Sequence, residues 1–426
     1  MNSNIQELIE KTRMKFGLDH YHLKRQGYSR YVNMFNETIY RFSMEWFPPH
    51  QAEPEDDDSN PEGTAVIEVN LNTGQYEMVI FVMGKTFAKD GVKFDSHNPN
   101  DIIHWVEQET GLTYKEHFQL QKAEDGELFF DEKMDGYPVT PSGTIEVNWD
   151  QDGKLVYFVH HGPFLAKKLM RNEEYALCVE RIEDIAKQQV QRLEWPSFEQ
   201  NRIRSVYALE EIYVKNDGTG NIPFEWGHEE THCIKMNQVM EWDESLNDSF
   251  EKKELNIHED ISAEQAFSFE PSPDTMPISR EEQDECIEAV RTFLRQEYPK
   301  DTGKWVLNTL HRHQGYIHAI LKASHQEDSG FMDKIKVFID ANSFKAVNYI
   351  DKKEMFQVCG ILDPFQAASE ITISKKEAFE KLRDYLELTP IYVYDFVQKQ
   401  YVLCGKLDCH YGVDASSGEV IPLQGI

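Results

Sequence analysis

The segment His228-Glu229-Glu230-Thr231-His232 has the spacing of a zinc-peptidase helix. On a helix, residues four apart share a face, so His228 and His232 would hold one zinc while Glu229 polarised a zinc-bound water. The neighbouring residues disfavour a helix. Pro223 and Gly227 lie just upstream. Downstream, Ile234, Met236 and Gln238 alternate with Lys235 and Asn237, as in a strand. In a strand the two imidazoles would share a face but sit about 13 Å apart at roughly 3.3 Å per residue, too far for one zinc. A zinc-dependent hydrolase is therefore the alternative reading, and it requires a helix over 227–236.

A second histidine group is His311, His313 and His318. If Gln314-Gly315 is a two-residue hairpin turn, His311 faces His318 and all three imidazoles share one sheet face, a spacing that suits a transition metal. No carboxylate or cysteine completes the set locally, so the plainer reading is a polar sheet face. The run Asn148-Trp149-Asp150-Gln151-Asp152-Gly153 begins like a calcium loop. The position for the bidentate glutamate is Val159, so a hairpin explains it better. Cys404 and Cys409, with Lys406 and His410 nearby, could have a lowered thiol pKa but read as packing residues. No GxSxG, Walker or dinucleotide glycine motif occurs. No cofactor is expected.

The elements that would carry these residues are helices and hairpins. Apolar residues at helical spacing mark Asn4 to Lys24, Asn98 to Thr110 before Gly111, and Arg171 to Leu193. Ser279 with Glu282, and Ser374 with Glu377, form capping boxes ahead of two more helices. Strand alternation follows at Ile145–Trp149 and Leu155–Val159, at Val337–Asp340 and Ala346–Ile350, and at Tyr411–Asp414 and Val420–Leu423. Asn70, Asn148, Asp340 and Asp414 stand at turn entrances, where their side chains can accept a backbone N–H two residues on, so they read as turn formers rather than ligands.

These patterns predict an α+β fold of repeated helix plus antiparallel hairpin units. The divisions expected are a divergent unit over 1–95, units over 96–243, an acidic linker over 244–275 and further units over 276–426. The linker, like the run Glu53 to Glu62, has few apolar residues with which to order itself.

The unit of a capped helix, Tyr392-Val393-Tyr394, and Val413-Asp414-Ala415-Ser416-Ser417-Gly418-Glu419-Val420 resembles the YcdB/YcdC repeat of Gram-positive bacteria, itself similar to the PepSY domain. The resemblance is clearest over 374–423, next over 279–350, and covers about a third of the chain. It implies helices packed on antiparallel sheets and a protein-binding role without catalytic residues.

Composition sets the remaining bounds. With 44 basic and 75 acidic residues the formal charge is −31, which repels nucleic acid and anionic lipid. No dense basic patch is visible along the chain. No run approaches the roughly 18 apolar residues of a membrane helix. Met1 to Lys15 lacks the plan of a secretory signal, and six sparse cysteines without a CxxC pair suit a reducing compartment. A cytoplasmic, non-catalytic protein- or peptide-binding or regulatory protein is expected. The third reading is an acidic structural protein with no specific partner.

Overall fold

A computed structural model describes residues 3–49, 59–95, 98–164, 169, 173–197, 202–223, 233–246, 248–324, 334–352, 354–355 and 369–424. Helix α1 (Ser3–Lys15) leads into β1 (His22–Val32) and β2 (Thr38–Phe47), followed by β3 (Ala65–Asn70) and β4 (Tyr76–Phe81). Helix α2 (Pro99–Thr110) precedes β5 (Gln119–Glu124), β6 (Glu127–Asp131), β7 (Lys133–Met134), β8 (Tyr137–Thr140), β9 (Thr144–Trp149) and β10 (Leu155–His161). Helix α3 (Glu183–Gln189) runs into β11 (Val190–Ser197), β12 (Arg202–Leu209), β13 (Ile212–Lys215), β14 (Asn221–Pro223) and β15 (Ile234–Met240). The short α4 (Ala263–Ser268) and α5 (Arg280–Glu297) precede β16 (Trp305–His313), β17 (Tyr316–Ala323), β18 (Lys334–Asp340) and β19 (Ala346–Asp351). Helix α6 (Lys375–Leu382) opens the last run: β20 (Glu387–Asp395), β21 (Gln400–Asp408), β22 (Tyr411–Asp414) and β23 (Val420–Pro422). The result is a mixture of helices and mainly antiparallel sheets.

The chain forms two compact units, neither continuous in sequence. The first takes Met1–Asn172, Glu259–Ser272 and Ile391–Val402. Its main sheet has the order β1-β2-β3-β4-β10-β9-β6-β5. Alternating residues such as Phe42, Ile67, Val79, Ile145 and Phe158 share one core with Ile5 of α1 and with Ile102 and Val106 of α2. Because β4 pairs with β10, residues 1–95 are not a unit of their own. They lack the strands that finish their sheet.

The second unit takes Glu173–His258, Pro273–Pro390 and Leu403–Ile426. One core lies between α5 and the sheet β15-β16-β17-β18-β19, with Val290, Phe293 and Leu294 against Leu307, Leu321, Ile335 and Val337. Another joins Ala186 of α3 and Phe379 and Leu382 of α6 to Val214, Leu407 and Val413.

Residues 244–275 are not a free linker. Phe250 packs against Phe293 and Tyr349 in the second unit. In the first unit, Ser262 and Gln265 form a capping box on α4, Phe267 packs on Tyr28, and the Tyr40 hydroxyl donates to the Glu270 carbonyl at 2.6 Å. A few apolar anchors suffice here because the surface that receives them is already built. Two expected helices are shorter than their periodicity suggests. The first stops at Lys15, ahead of β1. The third spans only Glu183–Gln189, because Val190 and the residues after it pair with β12. Tertiary pairing overrides local propensity there. By contrast, Asn98 caps α2, Gly111 ends it in the left-handed region, and both serine capping boxes form.

Four turns share one geometry. Asn70 Oδ1 accepts the N–H groups of Asn72 and Thr73 at 2.9 and 3.1 Å. Asp340, Asp395 and Asp414 accept from the residues two and three on in the same way. The residue four on takes a positive φ each time: Gly74 at 75°, Phe344 at 50°, Lys399 at 51° and Gly418 at 72°. Asn148 does not act this way. Its place is taken by Asp150, whose Oδ1 accepts from Asp152 and Lys154 at 2.9 Å, because the β9–β10 turn begins two residues later. Asp414 is also paired with Arg204 at 2.7 Å. Burial alone would raise its carboxyl pKa. The hydrogen bonds from Ser416, Arg204 and the Ser417 and Ser416 amides outweigh burial and hold it well below the usual range.

A methyl group added at Gly74 meets nothing within 4 Å, so the backbone alone sets the cost. Gly74→Ala should lose about 1 kcal/mol of stability in urea unfolding, for want of an easy left-handed conformation. Gly220→Ala, equally open but without a positive φ, should be neutral or slightly stabilising. Equal losses at both positions would exclude this account.

Candidate functional site

The face of the five-stranded sheet turned away from α5 gathers the side chains with most chemical potential. Gln314 at φ 50° and Gly315 at φ 79° form the tight turn between β16 and β17. That turn sets His311 opposite His318 and His313 opposite Tyr316. Since Leu310, Ile317, Val337 and Ile339 face α5, their strand neighbours must point the other way. The His311 and His318 ring centroids are 4.7 Å apart, those of His313 and His318 5.4 Å, and His318 also packs on Phe338 at 4.8 Å.

His311 and His318 are each only 4% exposed. Burial, then the charges of His311, Lys336 and His313, push the His318 imidazole down to about 2. It is therefore a neutral, edge-packed ring throughout the ordinary pH range. Among the described residues no group of three His, Cys, Asp or Glu side chains is gathered as a metal site would need.

Further along the same face stand lysines. Lys322 of β17 is paired directly with Lys334 of β18, and Lys336 is paired with Ile320 in the next row but one. Lys322, Lys334, Lys336, Lys352, Thr309 and His311 line a pocket of about 290 Å³. The cluster is assembled from separate strands, so no single run of residues announces it. The expectation of no basic patch is corrected here. The available signal is Lys322 and Lys334 flanking one hairpin, with Lys336 two residues on.

The other sequence candidates fare differently. His228, Glu229 and His232 lie outside the described residues. Of the span 227–236 over which the hydrolase reading needs a helix, residues 227–232 lie outside the described residues, and strand β15 begins at Ile234 (Ile234–Met240). Cys404 and Cys409 are buried. Burial raises the Cys409 thiol pKa, which argues against the lowered value considered above. Asn70, Asp340 and Asp414 spend their side-chain oxygens on turn N–H groups.

One consequence concerns acid stability. Below its unfolded-state pKa of 6.5, His318 takes up a proton when unfolded but not when folded, so its contribution is present above that pH and is lost as the pH falls. Between about pH 6.5 and pH 5 the wild type should lose ~1–2 kcal/mol from this group in urea unfolding. His318→Phe should flatten that slope. An unchanged slope would mean that the imidazole is not held neutral.

No protein-family model matches the chain, and no curated protein matches it. Among solved structures it is similar to the Bacillus megaterium YpeB C-terminal domain, with a TM-score of 0.25 and 10% identity over 82% of this chain and 97% of that one. That likeness is too loose to assign function.

Proposed function

We propose that this chain is a non-catalytic protein- or peptide-binding protein of PepSY-like, repeated helix-and-hairpin character, acting in the cytoplasm. The reading is that an extended segment of the partner adds to the outer edge of β1. The observation that carries it is a row of outward-facing backbone groups. At the β1–β2 turn, Asn33 N–H donates to the Glu37 carbonyl. In an antiparallel ladder the hydrogen-bonded pairs alternate. The pairs Tyr31 with Ile39, Ser29 with Arg41 and Gly27 with Ser43 are then bonded inward. The backbone groups of Gln26, Tyr28, Arg30 and Val32 therefore face outward.

Strand β1 stands at the end of its sheet, and its register runs unshifted from Arg25 to Val32. Among the described residues, nothing is hydrogen-bonded to those four backbone positions. The opposite arrangement occurs at β19, where the Lys253 N–H donates to the Val347 carbonyl and closes the edge. Such an edge supplies affinity through main-chain bonds and selectivity through side chains.

Gln26→Pro tests the reading, since proline is tolerated on an edge where its nitrogen faces out. A partner is first captured from native extract and identified, then titrated against both proteins. Binding should weaken by about tenfold or more in the variant, with the unfolding midpoint little changed. Equal affinity would place the contact elsewhere.

A further inference from the structure

The lysine pocket of the second unit sets two like charges face to face. Lys322 and Lys334 are directly opposed across the β17–β18 ladder. Like charges in that position destabilise a sheet. Neither side chain forms an ion pair or hydrogen bond with another described residue. Lys336 lies two residues beyond Lys334 and so on the same face, and Lys352 directly follows the last residue of β19. All four line the one pocket, together with Thr309, whose hydroxyl can donate. None of the described residues lining it is acidic. This occurs in a chain of formal charge −31.

We propose that this pocket binds a small polyanion, a molecule carrying two or more carboxylate or phosphate groups. Opposed ammonium groups on adjacent strands are placed to take separate oxyanions of one ligand, which removes the repulsion between them. The volume, about 290 Å³, suits a small molecule. The chain's overall charge disfavours the approach of a long polyanion, whereas a compact ion meets the ammonium groups at contact range. The site belongs to the second unit and the β1 edge to the first, and this inference does not rest on the reading of that edge.

Titration calorimetry of the full chain at constant ionic strength tests this with two probes, inorganic pyrophosphate and citrate. Their relative affinities distinguish a phosphate ligand from a carboxylate one. At least one should bind saturably at one site per chain, and Lys334→Gln should weaken it about tenfold or more. Lys345→Gln, in the exposed turn after β18, should leave binding unchanged. Without ligand, Lys334→Gln should unfold at the same or a higher denaturant concentration than the wild type, which separates loss of the site from loss of the fold. Binding of neither probe, equal binding by Lys334→Gln, or an equal loss in Lys345→Gln would overturn the proposal.

Discussion

A β-strand presents successive side chains to opposite faces, and the second unit is arranged around that constraint. Helix α5 covers one face of the five-stranded sheet, so Leu310, Ile317, Leu321, Ile335 and Val337 must point toward it. Every neighbouring residue is then committed to the other face. His311, His318, Phe338, Lys336, Lys322 and Lys334 are companions by this necessity, and a slip of one residue would exchange the two sets. The tight turn at Gln314-Gly315 prevents that slip on one side of β17, and the Asp340 turn does so on the far side of β18. Chemistry on the face turned away from α5 thus inherits its precision from apolar burial against that helix.

Much of the local structure was legible because its causes are local. A serine or asparagine cap, a glycine that ends a helix, and an aspartate that accepts turn amides all act within a few residues. The His311–His318 pairing followed from the length of one turn. What escaped was set by distant partners. Val190 continues a helical pattern but is claimed by β12. The anchors Phe250 and Phe267 looked too sparse to order their segment, since nothing near them shows the surface that receives them. The lysine cluster was hidden for the same reason, being a property of register across strands rather than of any run of residues. Asn148 and Asp150 stand a single pleat apart, and only the position at which the β9–β10 turn begins makes Asp150 the acceptor.

Net charge and local charge act at different ranges in this protein. The overall balance governs which molecules approach and how fast, over about a Debye length. Contact is decided by what lies within a few ångströms. The lysines beside β18 are an exception to the acidic average, gathered where their side chains line one pocket. His318, held neutral by burial, contributes nothing to that electrostatic pattern and serves instead as a flat packing surface next to it.

The interleaving of the two units bears on how the chain is made. The first unit contains residues 391–402, where Tyr392 and Val393 pair in parallel with Val139 and Thr140 of β8. During synthesis, the partner of β8 leaves the ribosome only after more than 250 further residues have been translated. Until then the nascent unit holds an unfilled strand position, and the second unit must likewise wait for β21 to β23. The eight-stranded sheet of the first unit is complete by His161 and can form early, but the strand position beside β8 stays open until the chain is nearly whole. Late closure of both units makes the last few dozen residues the ones whose loss by early termination would leave two incomplete sheets instead of one.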